Sequence, residues 1–174
     1  MKKGNKMIQS YMFYPIDSRM YIWQEGDSAM VIDPCVSKNA LLYLKGKNIN
    51  RILVILTHEH YDHISGVNWL KENFENVCVL CSQLCADALD NPCRNLSEFW
   101  EVLFIGKEEE IRECVKNMNI QPYYCKADET FEGEYEFIWQ EHKVFLKETP
   151  GHSKGSICIL VDEKILFSGD TLVT

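Results

Sequence analysis

The sequence has no apolar run long enough to cross a membrane. Its longest strongly apolar run, residues 52–56, has the length of a buried strand, whereas a membrane helix needs about 20 residues. The first residues, MKKGNKMIQSYMFYP, include lysines but no apolar stretch of the kind that a signal peptide requires. We therefore expect no membrane span and a cytoplasmic location.

Basic residues are scarce relative to acidic ones. The 18 lysines and arginines are outnumbered by 26 aspartates and glutamates, which gives a formal net charge of −8. A surface of this sign does not attract phosphate backbones, so nucleic acid is a disfavoured partner. Repeats, low-complexity tracts and Gly/Ser/Pro linkers are also missing, so the 174 residues are predicted to form a single domain, 1–174.

Cysteine, by contrast, is plentiful. Eight cysteines without an export signal indicate reduced thiols. Cys78, Cys81, Cys85 and Cys93 are close enough to raise the alternative of a structural zinc site, but their spacing lacks the paired C-x-x-C repeat. Because the run VCVLC is typical of a buried strand, we favour packing roles for Cys78 and Cys81.

The first half of the chain is predicted to combine a meander with a βαβ unit. Residues 11–14, 20–24 and 29–32 are short, rich in β-forming residues and separated by turn residues, which favours antiparallel strands. A helix is expected over 38–47. Residues 52–56 are apolar throughout and suit a strand covered on both faces, followed by a helix that Asp62 caps, running to Phe74, and a strand at 77–81.

The second half is predicted to be mostly sheet after an insertion. Residues 92–126 contain one predicted helix, 107–118, and are interpreted as a lid or insertion. Strand patterns return at 135–139, 144–147, 156–161 and 164–167. His142 falls in a predicted hairpin turn, where we expect an exposed side chain. For the aromatic residues of the insertion, packing is favoured over the lining of a cleft: Trp100, Phe104, Tyr123 and Tyr124.

Histidines cluster where the buried strand of the βαβ unit ends. His58 and His60 are two residues apart, so in extended chain they point the same way and can share a metal ion. Asp62 and His63 follow at the start of the next helix. A solvated polar loop is the alternative, but four of the five histidines fall in two short segments, 58–63 and 149–153, both at strand-to-loop junctions. This distribution favours a metal site.

Together with FSGDT at 167–171, these segments resemble the metallo-β-lactamase superfamily, whose signature is His-x-His-x-Asp-His followed by a lone His and then a lone Asp. TPGHSKGS and FSGDTL are most similar to the glyoxalase II-like branch, and residues 29–34 resemble the family strand that ends in Asp. The resemblance implies an α/β (α+β) fold, the αββα sandwich. Because the sequence ends at Thr174 and the family's last histidine does not follow, we expect the second half to be incomplete, as in a truncated chain.

The resemblance also implies a ligand set for one or two zinc ions, with iron or manganese as alternatives. His58, His60 and His152 resemble the ligands of the first metal, Asp62 and His63 resemble those of the second, and Asp170 would bridge both. Asp62 could also take a proton in catalysis. Asp33 resembles a carboxylate that orients a ligand histidine, although a strand terminator before Pro34 is an equal alternative. Gly151 and Gly169 are expected to aim His152 and Asp170 through positive φ angles.

The implied function is metal-dependent hydrolysis of a small ester, thioester, lactone or phosphodiester through a metal-bound hydroxide. Glutathione thioesters are disfavoured, because the glyoxalase II branch binds them through a C-terminal helical region that this sequence lacks. An exported β-lactamase is disfavoured too. The alternatives are a persulfide dioxygenase-like iron enzyme using His58, His152 and Asp170, and a metal-binding fragment without turnover. The expected partners are a small-molecule substrate and a second copy covering the incomplete sheet.

Overall fold

The computed structural model describes residues 8–172, in which two β-sheets pack face to face. The first sheet has six strands in chain order: Gln9–Phe13 (β1), Ser18–Glu25 (β2), Ser28–Ile32 (β3), Arg51–Ile55 (β4), Val77–Ser82 (β5) and Glu129–Phe131 (β6). Strands β1 to β3 pair antiparallel, and β3 to β6 pair parallel. The predicted meander and βαβ unit are therefore confirmed.

The second sheet is fully antiparallel. Its four strands are Glu134–Trp139 (β7), His142–Glu148 (β8), Ile157–Val161 (β9) and Ile165–Phe167 (β10), in the order β10-β9-β8-β7. The two sheets enclose one apolar core, and helices cover the other face of the first sheet. Among the described residues, these three layers agree with the predicted sandwich whose second half is incomplete. The ends of the predicted 1–174 domain, residues 1–7 and 173–174, lie outside the described residues.

Strand alternation explains why β3 is apolar at nearly every position. Ala29 and Val31 point into the core beneath the helices, whereas Met30 and Ile32 point into the core between the sheets. Successive side chains of a strand point to opposite faces. A strand covered on both sides therefore needs apolar residues in both registers.

In the described part of the chain, five α-helices connect or flank the strands: Lys38–Gly46 (α1), Tyr61–Ile64 (α2), Val67–Asn73 (α3), Gln83–Leu89 (α4) and Glu109–Met118 (α5). Two 3-10 helices lie at Ser97–Phe104 and Gly169–Thr171. Within residues 8–172, no helix has both the length and the apolar character needed to cross a membrane.

The single helix predicted after Asp62 is in fact two helices. His60, not Asp62, is the N-cap residue of α2, and no side chain makes a capping hydrogen bond there. The break between α2 and α3 comes at Gly66, whose amide donates to the Pro34 carbonyl at 2.8 Å. A Cβ at Gly66 would lie 2.7 Å from the Pro34 carbonyl carbon. The close approach to the end of β3 therefore requires glycine and interrupts the helix.

Two aromatic residues of the segment 92–126, Trp100 and Phe104, belong to the core, whereas Tyr124 is exposed. Trp100 is 3% exposed, and its ring packs edge-on against Phe13 at 5.8 Å and against Tyr61 at 5.2 Å. Phe104 is buried next to it, with 5.2 Å between the two ring centroids. Packing is thus the right interpretation for Trp100 and Phe104. That the segment also serves as a lid stays a prediction.

The predicted exposure of His142 is wrong. Its side chain is buried, with Nδ1 2.5 Å from Asp162 Oδ2 and Nε2 2.9 Å from Glu25 Oε2. The ring also lies 4.4 Å from that of Trp23. The hairpin folds back onto β2, and two carboxylates from distant parts of the chain provide the polar partners that a buried imidazole requires.

Candidate metal centre

The predicted ligands converge at the carboxyl end of β4. The Leu56 amide still donates to the Leu80 carbonyl at 3.1 Å, so the chain leaves the sheet only after this residue. The loop that follows contains His58 and His60, and α2 contains Asp62 and His63. Reactive groups at this position are typical of open α/β sheets, because the strand end fixes the loop while leaving its side chains free to face a cleft.

One group of three histidines brings together a ring nitrogen from each of His58, His60 and His152, all within 4.8 Å of one another. His152 Nε2 lies 2.9 Å from His60 Nδ1. His58 is almost completely buried, whereas His152 is partly exposed. His152 follows β8 of the second sheet, so this group joins side chains from both sheets.

A second group shares His58 and adds His63 and Asp170, again within 4.8 Å. Asp170 Oδ1 lies 3.4 Å from His63 Nε2, and its Oδ2 lies 3.5 Å from His152 Nε2. Asp62 Oδ2 is 3.1 Å from His63 Nε2. Asp170 thus faces one histidine of each group, and all six side chains that the sequence pointed to lie together.

The hydrogen bonds around His58 leave a nitrogen lone pair aimed into the centre. Thr57 Oγ1 lies 2.6 Å from Asp33 Oδ2 and 3.1 Å from His58 Nδ1. Since a carboxylate only accepts, the Thr57 hydroxyl donates to Asp33 and accepts from His58 Nδ1, which leaves the Nε2 lone pair of His58 unprotonated. That Nε2 atom is buried and, within residues 8–172, has no hydrogen-bond partner. A buried imidazole nitrogen of this kind fits a metal ligand.

Electrostatics separate the two buried histidines. Burial, together with the neighbouring histidines, holds the pKa of His58 well below its usual value. Burial opposes protonation of His63 as well, but the Asp33 and Asp170 carboxylates overcome it and hold the pKa of His63 well above its usual value. Hydrogen bonding from His63 in turn lowers the pKa of Asp170. In the metal-free chain His58 is therefore held neutral, whereas His63 is held protonated beside the ionised Asp170 carboxylate, and zinc binding at His63 would displace its proton.

Asp33 acts as the orienting carboxylate of this centre. Its Oδ2 lies 2.8 Å from His63 Nδ1, and its Oδ1 accepts the Thr57 backbone amide at 2.7 Å. Asp33 adopts a φ of 51°, which turns the chain at the end of β3. Of the two alternatives, orientation of a histidine is the one that these contacts support. Thr57 was missed by sequence reasoning, because a threonine before His58 is unremarkable until its hydroxyl partners are known.

The two glycines predicted to have positive φ angles differ. Gly169 has a φ of 49°, and a Cβ there would lie 2.3 Å from Thr57 Oγ1. Gly151 has no positive φ and no close contact, so that prediction is wrong. The turn around His152 is made by hydrogen bonds instead: the Thr149 amide donates to the Ser156 carbonyl at 2.8 Å and the Gly151 amide to the Ser153 carbonyl at 3.1 Å.

The alternative zinc site has no counterpart in the described chain. Neither of the ligand-type groups that converge within residues 8–172 contains a cysteine. Cys81 and Cys85 are buried, and Cys93 is exposed.

A cavity of about 660 Å³ lies beside the centre. Asp33, His63 and Asp170 border it on one side, and Arg19 and Tyr21 of β2 border it on another. The volume is in the range of sites for small molecules.

Comparison with known proteins agrees with this geometry. The family model described as the metallo-beta-lactamase superfamily matches residues 15–174, and the chain belongs to that superfamily. A B3 metallo-beta-lactamase, BLEG-1, superposes with a TM-score of 0.75 at 26% sequence identity, covering 97% of this chain and 74% of that structure. The predicted sandwich fold is therefore confirmed.

The curated relatives point to one branch of the superfamily. The hydroxyacylglutathione hydrolase of Prochlorococcus marinus strain MIT 9312 is 32% identical over 105 residues, covering 59% of this chain and 42% of the relative. The enzyme of the same name from Glaesserella parasuis serovar 5 is 27% identical over 160 residues, covering 91% of this chain and 52% of the relative. The chain spans about half the length of these relatives. Their shared name confirms the resemblance to the glyoxalase II branch.

Proposed function

We propose that this protein is a zinc-dependent hydrolase that cleaves a small ester, thioester, lactone or phosphodiester. The observation that carries the proposal is the buried Nε2 atom of His58, which lacks a hydrogen-bond partner among the described residues and is common to both ligand groups. His58, His60 and His152 would hold the first ion, Asp62 and His63 the second, and Asp170 would lie between them. A zinc ion held by these residues would supply Lewis-acid activation of water and of the substrate oxygen.

The residues of the chain prepare this chemistry. The low pKa of His58 keeps its ring neutral, so that Nε2 presents a lone pair. Asp33 and Thr57 hold the Nδ1 protons of His63 and His58 and thereby fix both rings. Burial opposes ionisation of Asp62, but its contact with His63 holds the pKa of the carboxyl below its usual value. Asp62 is thus an ionised carboxylate at the centre and is our candidate to receive a proton during hydrolysis.

The substrate class is supported by the cavity and the relatives. The cavity beside His63 and Asp170 has room for a small molecule and exposes both polar and apolar side chains. Two matched relatives are named hydroxyacylglutathione hydrolase, which keeps thioesters among the candidates. These names also support hydrolysis over the iron-dependent oxygenase alternative. The assay panel should therefore include thioesters beside esters, lactones and phosphodiesters.

The test compares metal-free protein with protein loaded with zinc, iron or manganese on chromogenic substrates of these four classes. We expect zinc to stimulate hydrolysis of at least one class and His58→Ala to abolish the stimulation. Elemental analysis of protein purified without chelator identifies the resident metal. Iron together with oxygen consumption on a persulfide would favour the oxygenase, and metal binding without any turnover would favour a non-catalytic metal-binding role. Absence of any bound transition metal would contradict the proposal.

We also propose a reducing, cytoplasmic environment. All eight cysteines are free thiols in the structure, including the buried Cys35, Cys81, Cys85 and Cys125. Free thiols in this number persist where the cell keeps them reduced. Fractionation of the producing cells tests the location, and recovery of the protein outside the cytoplasm would contradict it.

We propose that copies of this chain associate through the open edge of the second sheet. Among the described strands, β10 pairs only with β9, and Leu166 on β10 is 51% exposed. Unpaired strand edges and exposed apolar side chains favour association. Light scattering at micromolar concentration should therefore detect an oligomer, and a monomer at that concentration would contradict the proposal.

A further inference from the structure

One buried carboxylate at the centre has no role in the proposed chemistry. Glu59 lies between His58 and His60 in the sequence and is only 6% exposed. Its Oε2 atom accepts a hydrogen bond from Ser153 Oγ at 2.8 Å. Burying a carboxylate costs free energy unless it gains such hydrogen-bond partners. The contact of Glu59 with the residue after His152 therefore suggests that the buried carboxylate has a function.

The Ser153 contact ends a chain of hydrogen bonds within the His152 loop, residues 149–156. The Ser153 amide donates to Ser156 Oγ at 3.1 Å, and the two serine hydroxyls lie 2.9 Å apart. Since the single hydroxyl proton of Ser153 goes to Glu59, Ser153 Oγ must accept from Ser156 Oγ. Each hydroxyl thus donates once and accepts once, and the chain terminates at the Glu59 carboxylate.

Packing fixes the loop over the same carboxylate. A Cβ at Gly155 would lie 2.6 Å from Glu59 Oε2 and 2.5 Å from the Cys85 amide nitrogen. The Gly155 carbonyl accepts from Ser82 Oγ at 2.8 Å, which fastens the loop to the end of β5. The Cys85 backbone leaves no room for a Cβ, so glycine is required for the loop to lie this close to α4 and to Glu59.

The position of His152 depends on the hydrogen bonds of this loop more than the position of His58 does. The side chain of His152 is 33% exposed, whereas His58 is 1% exposed and is held by its own strand end. The nearest backbone hydrogen bond that joins the His152 segment to the His58 loop runs from the Ile157 amide to the Thr57 carbonyl, at 2.8 Å. Beside the approach of His152 Nε2 to His60 Nδ1, the hydrogen bond from Ser153 to Glu59 is a second side-chain link to the loop of His58 and His60.

We infer that Glu59 is a positioning residue, which acts through Ser153 to hold His152 against His58 and His60. The inference rests on the proposed metal site and adds a residue to its support. Residues that orient metal ligands typically contribute 10- to 100-fold to metal affinity. Glu59 and Ser153 are the two partners of one hydrogen bond, so the losses of zinc affinity caused by replacing either residue should not add.

The experiment measures zinc affinity by competition with a chromophoric chelator for the wild type, Ser153→Ala, Glu59→Ala and the double variant. We expect each single variant to bind zinc 10- to 100-fold more weakly and the double variant to be no weaker than Glu59→Ala. Glu59→Gln keeps an oxygen acceptor for Ser153 and should recover most of the affinity. The matched control is Lys154→Ala, which changes the exposed neighbour of Ser153 and should bind zinc like the wild type.

Thermal unfolding of the metal-free variants separates positioning from a purely structural role. If Ser153→Ala and Glu59→Ala lower the melting temperature but bind zinc within threefold of the wild type, the inference is wrong. If Glu59→Ala does not fold, Ser153→Ala, which removes a single oxygen atom, decides the question alone. Absence of zinc binding by the wild type would instead overturn the proposed function, and this inference with it.

Discussion

Asp33 Oδ2 lies 2.8 Å from His63 Nδ1, and the same oxygen accepts the Thr57 hydroxyl at 2.6 Å. Thr57 in turn accepts from His58 Nδ1. One carboxylate at the end of β3 therefore fixes the Nδ1 hydrogen bonds of two histidines, His58 and His63, that follow the next strand. The hydrogen-bond partner of one imidazole nitrogen decides whether the other can bind a metal.

Replacing this carboxylate should weaken both ligand groups. Asn in place of Asp33 presents one oxygen acceptor and one NH₂ donor, so it cannot accept from the Thr57 amide, the Thr57 hydroxyl and His63 together. We expect Asp33→Asn to lower zinc affinity about 10- to 100-fold in the chelator competition assay. The control is Asp87→Asn, which changes an exposed carboxylate that accepts a hydrogen bond from Gln83 and should leave zinc affinity unchanged. Equal affinities for both variants would contradict the assignment.

Gly169 should tolerate alanine poorly, for two separable reasons. Both Gly169 and Gly133 have positive φ angles, but only at Gly169 would a Cβ clash, 2.3 Å from Thr57 Oγ1. Gly133→Ala should therefore cost about 1–2 kcal/mol of unfolding free energy from the backbone alone. Gly169→Ala adds a steric cost and should lose about 2–5 kcal/mol in total. Urea denaturation of the two metal-free variants measures the difference, and equal costs would show that the loop shifts away from Thr57.

Two adjacent aromatic residues, Phe99 and Trp100, can test how the segment 92–126 packs against the core. Trp100 is buried against Phe13 and Tyr61, whereas Phe99 is 43% exposed. Trp100→Ala should destabilise the chain by about 3–5 kcal/mol, and Phe99→Ala by less than about 1 kcal/mol. Chemical denaturation monitored by circular dichroism gives both values. A small effect of Trp100→Ala would mean that the segment packs more loosely than these contacts indicate.

Thiol reactivity should follow burial. Burial raises the pKa of Cys35 to about 11 and that of Cys125 to about 12, so both remain protonated at pH 8. Cys93 is exposed. Since only the thiolate attacks an alkylating reagent, iodoacetamide at pH 8 should label Cys93 first and the two buried thiols only after denaturation. Peptide mass mapping over time measures the order, and early labelling of Cys35 would contradict it.

Local patterns were enough to predict the elements that build the site. Each of these patterns spans only a few neighbouring residues: the apolar run before His58, the two-residue spacing of His58 and His60, and the glycine before Asp170. Strand alternation and ligand type are properties of neighbouring residues, so the sequence carries them directly. The βαβ unit and the convergence of the six candidate ligands were accordingly predicted.

Apart from the local turn at Gly151, the failures concern contacts between distant segments. The helix break at Gly66 depends on Pro34, the burial of His142 depends on Glu25 and Asp162, and neither is visible near the residue itself. Thr57 and Glu59 were missed for the same reason, because their roles are defined by partners on other strands and loops. A single sequence shows which residues could serve a site, but not which buried polar groups support it.

The candidate ligands are divided between the two sheets. His58 and His60 follow β4 of the first sheet, whereas His152 follows β8 and Asp170 follows β10 of the second. An ion held by this set would act as a cross-link between the two halves of the sandwich. Binding to the folded chain alone would then stabilise it by about 2.7 kcal/mol at a free zinc concentration one hundred times the Kd. The free energy of unfolding would thus depend on the free metal concentration around the protein. Removal of the ion would destabilise the packing of the two sheets as well as abolish the proposed activity.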